Sequence, residues 1–513
     1  MTSHHARCIF TAAVMAASTW ALPSEAACIP QKLPPKPPQD PVARLLAAQP
    51  TCPKDAVDFV GALKKDGVRL APTMVNFVGF HNPGGFFIFE IASREGGPFP
   101  IQRGDLVFGH FTDVTDDNRL VSHKSDEDLV IELIAWDPDK QFYNFYELNE
   151  GDWFYRGDSK NILDDIRGLH RERAGSAKPF GSHLRCSGCH VNGGLVQKEF
   201  APPHNDWFVR ARPLPLDDLK PDAFIKSRLD DLVDADELRA LVAASPWRLA
   251  DSPGYRKVLA EADRSMQERL RPLFCPVELN IESDASPFDD KKPTLRVPSA
   301  FFVDPRLASA EISVRRQDYA AALAKLNSRL PDTTPRRSDA DHGWLTPVKA
   351  NSDIVAADAL VEQGIVSAEF ATAVLAVDFT NPVFSPVRCD LLKLVPDKGG
   401  ADFVARFQDR LRAAHVPGAA ELSDNLRNPA ALKDRARAFL QACRDKAANP
   451  AAVLGWYRLL AQRRVEVGAN EISQNELGRI LEDDSGRVVF PVAVTRPKPK
   501  ADQLKLTTTC DVQ

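Results

Sequence analysis

Long apolar runs are missing from this chain of 513 residues. The stretch that comes nearest, Cys8–Leu22, is short and rich in Ala, Ser and Thr, which argues against a retained membrane span. Methionine is scarce. There are four, and Met1 and Met15 fall in the N-terminal leader, so thioether chemistry in the rest of the chain rests with Met74 or Met266. No excess of positive charge exists: the formal net charge is -5, with no basic cluster and no basic-aromatic stripe. Those absences exclude a nucleic-acid partner. The helical second half carries no P-loop, no nucleophile elbow, no G-x-G-x-x-G and no paired zinc ligands. No repeat period is visible.

What is present concentrates in Arg185-Cys186-Ser187-Gly188-Cys189-His190. Two cysteines with two residues between them, and histidine next, read as a c-type haem attachment site. The thiols add across the vinyl groups of one haem, and the histidine follows at once as an axial ligand to iron. With nine Cys and eleven His in 513 residues, chance produces this pattern in roughly three of a thousand such chains. Half of a zinc site would need a second Cys or His pair at ligand spacing, and past the leader no other C-x-x-C or H-x-x-H occurs. A dithiol redox motif would need a strand before it and a helix after it, whereas Gly181, Ser182, Gly193 and Gly194 read as loop. The reading is one covalently attached haem c, bound by Cys186, Cys189 and His190, with His190 on the metal.

The chain opens like an exported protein. Arg7 precedes the apolar run, and Ser24-Glu25-Ala26 has the small-x-small form of a cleavage site, so residues 1–26 read as a signal peptide. The expectation is a bacterial periplasmic or secreted protein with no membrane span in the mature chain. Export agrees with c-type attachment, which resembles a process completed outside the cytoplasm. Cys28, Cys52, Cys275, Cys389, Cys443 and Cys510 then remain, an even number suited to disulfides in an oxidising compartment. Six cysteines allow fifteen pairings; Cys28 with Cys52 is the most local.

Length predicts two domains. Residues 27–54 are a proline-rich lead-in, expected extended and polyproline-like. Residues 55–215 read as a β-rich domain holding the haem site. A helix over 54–65 comes first. Strands follow at 73–80, 86–92, 106–112, 129–136, 141–148 and 153–156, then a helix from Ser159. Residues 137–140, with Pro138 second, suit a type I turn. Residues 216–513 read as a mainly helical domain, with helices at 222–232, 236–244, 255–273, 317–330, 354–363, 368–377, 402–414, 430–447 and 451–462, and a last strand at 488–494. The fold class is α+β. The aromatic residues Trp136, Phe142, Tyr143, Phe145, Tyr146, Trp153, Phe154 and Tyr155 serve either as sheet core or as haem wall.

From Cys186 to about Pro203 the chain resembles class I cytochromes c. In that family a proline at about the offset of Pro202 offers its carbonyl to the haem histidine, and a downstream methionine binds the iron. This chain departs from the pattern, because Met266 is the only downstream methionine and lies further off in a helical pattern. A looser likeness of layout covers residues 73–190. Phe99-Pro100 near Gly104-Asp105, an aromatic strand at Trp153, then the motif, resemble the cytochrome P460 and cytochrome c′-β group. That resemblance implies an open sixth site for small nitrogen species and, in one type, a lysine cross-link, for which Lys124, Lys160 and Lys178 are candidates. His110 and His81 are candidates for the distal side, while His204 falls beside Pro202 on the proximal side. Arg185, Arg210 and Arg212 are candidates for the propionates.

The leading function is one-electron transfer with a periplasmic redox partner protein. The alternative is a haem enzyme or gas-binding protein with an open distal site, acting on peroxide, nitric oxide or hydroxylamine. A third reading is a docking protein stabilised by its haem. The sixth ligand separates the first two.

Overall fold

Alternating and aromatic-rich segments between Arg69 and Asp158 form most of one large sheet. The computed structural model describes residues 28–76, 86–97, 99–124, 129–172, 185–188, 190, 192–195, 206–208, 216–242, 244–259, 261, 265–276, 279–282, 292–326, 343–344, 346–349, 351–475 and 503–513. The strands are β1 (Arg69–Asn76), β2 (Phe86–Ser93), β3 (Leu106–Val114), β4 (Arg119–Ser122), β5 (Leu129–Asp137), β6 (Phe142–Asn149), β7 (Asp152–Asp158), β8 (Asp206–Trp207) and β9 (Lys220–Pro221). They lie in the order β7-β6-β5-β3-β2-β1-β8, with β4 beside β3 and β9 beside β4. All pairs are antiparallel except β4 with β9. The chain is α+β, as its sequence predicts.

Side chains alternate across the sheet and so divide it into two faces. One face presents Val75, Phe87, Val107, Phe111, Ile134 and Phe145. It is covered by α3 (Ser159–Glu172), α5 (Ala235–Val242), α6 (Ala244–Asp251) and α7 (Pro253–Leu259). The opposite face presents Phe108, Ile131, Leu133, Tyr146 and Leu148 to α1 (Pro41–Ala47) and α2 (Ala56–Lys65). Further along that face, Met74, Ile88 and Leu120 meet Ile225 of α4 (Ala223–Asp230). Phe59 of α2 is fully buried, edge-on to Phe108 at 5.1 Å. A side chain buried this completely contributes about 1.5–3 kcal/mol.

Several local expectations need correction. The lead-in is not extended throughout, because Pro41 opens α1. Asp40 caps that helix, its carboxylate accepting from the amides of Val42 and Ala43. Proline at a first helical position loses no hydrogen bond. The helix expected over 255–273 is two helices, α7 and α8 (Met266–Phe274). Ser265 and Glu268 form a capping box that starts α8 afresh. The turn after β5 is longer than a type I turn: Gln141, at φ +59°, closes it by donating to the Asp137 carbonyl. The sequence gives no sign of β4, and β1 begins before Thr73. The predicted strand at 488–494 lies outside the described residues.

The second half builds its own core from Met266 to Cys510. Its helices include α9 (Arg316–Lys325), α10 (Asn351–Glu362), α11 (Ala368–Leu375), α12 (Pro386–Leu391), α13 (Phe403–Ala413), α14 (Ala419–Arg427), α15 (Leu432–Lys446) and α16 (Pro450–Asn475). Disulfides join Cys275 to Cys389 and Cys443 to Cys510 there, and Cys28 to Cys52 at the start. The composition changes near Leu216, but α4 to α7 still pack on the sheet, and α6 and α7 also meet α10 of the second half.

Candidate functional site

Residues Arg185–Gly188 form a short 3-10 turn. The His190 amide donates to the Cys186 carbonyl at 2.9 Å, closing one helical turn that carries both residues. Cys186 is half-buried against the apolar layer on the α3 face of the sheet. The His190 ring sits 5.2 Å from that of Phe145 in β6, at 59°. Phe145 is thus a member of the aromatic cluster that touches the motif. Trp136, Phe142 and Tyr143 share its layer, whereas Tyr146, Trp153 and Tyr155 lie on the other face. Phe154 lies under the cations of Lys32 and Arg156.

His190 Nδ1 lies 2.8 Å from the Gly194 carbonyl oxygen. A carbonyl only accepts, so Nδ1–H is the donor, which in a neutral ring leaves the acceptor lone pair on Nε2. That is the tautomer a metal-ligating histidine needs. The class I likeness assigned this acceptor to Pro202; the structure gives it to Gly194 instead, only four residues on. Pro202 itself lies outside the described residues, as do Cys189, His204, Arg210, Arg212, His81 and Lys178.

The turn supplying the acceptor is tightly enclosed. Asn192, Gly193, Gly194 and Leu195 are all buried. Gly193 has φ +71°, and a Cβ there would lie 2.7 Å from the Ser159 carbonyl oxygen. A Cβ on Gly194 would lie 2.6 Å from Leu249 Cδ2 of α6. Ser159, at the start of α3, donates its hydroxyl to the Gly193 carbonyl at 2.6 Å and accepts from the Tyr143 amide at 2.9 Å. Tyr255 of α7 donates its hydroxyl to the Asn192 carbonyl at 3.2 Å. Burial pushes the Tyr143 phenol above its ordinary range, so it stays protonated and donates to the Gly104 carbonyl.

Among the described residues, Cys186 and His190 fit a covalently held haem. The histidine tautomer is right, the thiol of Cys186 stands at the edge of an aromatic layer, and the loop behind them is fixed. Ser187 Oγ, between the two cysteines, is buried without a hydrogen-bond partner.

The candidates for a sixth ligand that fall among the described residues are placed elsewhere. His110 is fully buried on the opposite sheet face, its Nε2 3.4 Å from Glu90, which Arg228 of α4 holds at 3.2 Å. The period-2 alternation that puts Phe111 on the motif's face puts His110 on the other. Met74 is buried under α4 on that same opposite face. Met266 lies in the core of the second half. Both methionines are therefore packing residues.

Sequence reasoning missed His123. It follows β4 opposite Phe111, and so lies on the motif's face. Asp113 holds its Nδ1 at 2.7 Å, and its Nε2 is buried without a partner. The strand register places it roughly 13 Å along the sheet from the level of Phe145. Lys160 pairs with Asp164 at 2.6 Å and Lys124 with Asp55 at 3.2 Å. Among the described residues, no cluster of three or more His, Cys, Asp or Glu could hold a metal, and no helix is long and apolar enough to cross a membrane. No family model, curated protein or solved structure matches this chain.

Proposed function

We propose that this chain is an exported monohaem c-type cytochrome that passes single electrons to or from a periplasmic redox partner protein. The observation that carries the reading is the bond from His190 Nδ1 to the Gly194 carbonyl inside a buried turn. Cys186 and Cys189 would hold the haem covalently and His190 Nε2 would ligate its iron. A haem bound there supplies a one-electron ferric–ferrous couple. The protein contributes orientation: the Gly194 carbonyl fixes the ring, and Phe145 packs against it. Export is supported by the three disulfides, which suit an oxidising compartment.

A second reading is a haem enzyme or gas-binding protein with an open distal site, acting on peroxide, nitric oxide or hydroxylamine. The placement of His110, Met74 and Met266 in other packing layers favours it. One preparation tests both. The chain is expressed with c-type maturation machinery, run on a denaturing gel and stained for haem. A band at the mature mass is expected, lost when Cys186→Ala is combined with Cys189→Ala; a stain surviving the double change overturns both readings. Low-spin spectra without carbon monoxide binding by the reduced protein favour electron transfer. Prompt carbon monoxide binding favours the second reading.

A further inference from the structure

We infer that Ser159 and Tyr255 are positioning residues for His190, setting the electron donation of its imidazole through the turn that supplies its acceptor. This rests on the haem reading above and goes beyond it. Three consecutive carbonyls, those of Asn192, Gly193 and Gly194, each receive one side-chain donor, from Tyr255, Ser159 and His190 respectively. The donors come from three separate parts of the fold: α7, the start of α3, and the motif.

A turn containing two adjacent glycines has little conformational restraint of its own. Its peptide planes could rotate and swing the Gly194 carbonyl away from His190. The Ser159 hydroxyl prevents that on one side. It is fully buried, and its direction is defined because it accepts from Tyr143 while donating to Gly193. Tyr255, only 1% exposed, holds the preceding carbonyl. The Gly193 amide returns to the His190 carbonyl at 2.7 Å, so the turn closes on the same histidine it orients.

The chemical consequence has a definite sign. A firm acceptor on Nδ1–H raises the basicity of the ligand, and a more basic ligand favours ferric over ferrous iron. Loosening the acceptor weakens that preference and moves the midpoint potential upward.

The test compares the unaltered full-length holoprotein with Ser159→Ala, Tyr255→Phe, the double variant, and Ser385→Ala as a control. Ser385 caps α12 and lies in the second half, so its loss should lower stability alone. Haem per chain, melting temperature and midpoint potential are measured for each. With haem content unchanged, Ser159→Ala and Tyr255→Phe should each raise the ferrous-over-ferric preference roughly threefold, where tenfold is about 59 mV for a one-electron couple. The double variant should exceed either. The control should melt lower with its potential unmoved. If Ser159→Ala does not accumulate, Tyr255→Phe decides, because it keeps the ring and removes one hydroxyl. Retained haem with an unmoved potential overturns this inference and leaves the haem reading standing, as does an equal shift in Ser385→Ala. An unaltered chain without covalent haem overturns the haem reading, and this inference with it.

Discussion

Glu90 and Arg228 bring an ion pair into the sheet's interior beside His110, where exposure is 1% or less. A buried ion pair adds little net stability, but losing one partner strands the other without solvent. Arg228→Met should therefore cost about 3–5 kcal/mol in urea unfolding. Adding Glu90→Gln should recover part of that loss, because the stranded carboxylate is gone. At this scale the sequence displayed the motif and little else. The Cys186-x-x-Cys189-His190 motif was legible because it is a short pattern of fixed local spacing. The Gly194 acceptor and the Asp113–His123 pair were not, because each depends on a turn whose closure is set by tertiary contacts. The face His110 takes was hidden for a related reason: a histidine inside a strand gives no sign of which face it will take until strand register is known.

Among the elements, the buried turn Asn192–Leu195 has the tightest steric specification around the motif. Gly193→Ala would combine a left-handed backbone with a Cβ 2.7 Å from a backbone oxygen that cannot move freely. The left-handed conformation alone costs roughly 1–2 kcal/mol, and the crowding adds to it. We expect a loss of at least about 2 kcal/mol in urea melts and less haem per chain on stained gels. Most helices were legible within a few residues, since their apolar spacing is strong. The exceptions have local causes. Proline content concealed α1, where Pro41 starts a helix rather than preventing one. Continuous apolar spacing concealed the Ser265 capping box that separates α7 from α8.

Over the whole molecule, composition and packing divide the chain at different places. The texture becomes helical near Leu216, but Leu238, Val242, Leu249, Tyr255 and Val258 complete the apolar layer on the motif's face. Helical content could be read from periodicity; which core a helix joins could not, since that is decided by contacts distant in sequence. A fragment of residues 27–261 should thus resist proteolysis and stain for haem when exported with the maturation machinery. One ending at residue 215 should be degraded, because it leaves Phe87, Phe111 and Phe145 without their cover. Equal survival of the two fragments in a timed protease digest would show that α4 to α7 are dispensable.

The lead-in also bears on how these molecules keep apart. β7 is the outermost strand at its end of the sheet. Gln31 runs alongside it, donating to the Trp153 carbonyl and accepting from the Tyr155 amide. Those groups would otherwise form an open template for another chain's strand. The Cys28–Cys52 bridge ties the lead-in down just before that point. The first disulfide therefore helps to hold the strip of chain that shields this part of the edge, and breaking it should loosen that shield.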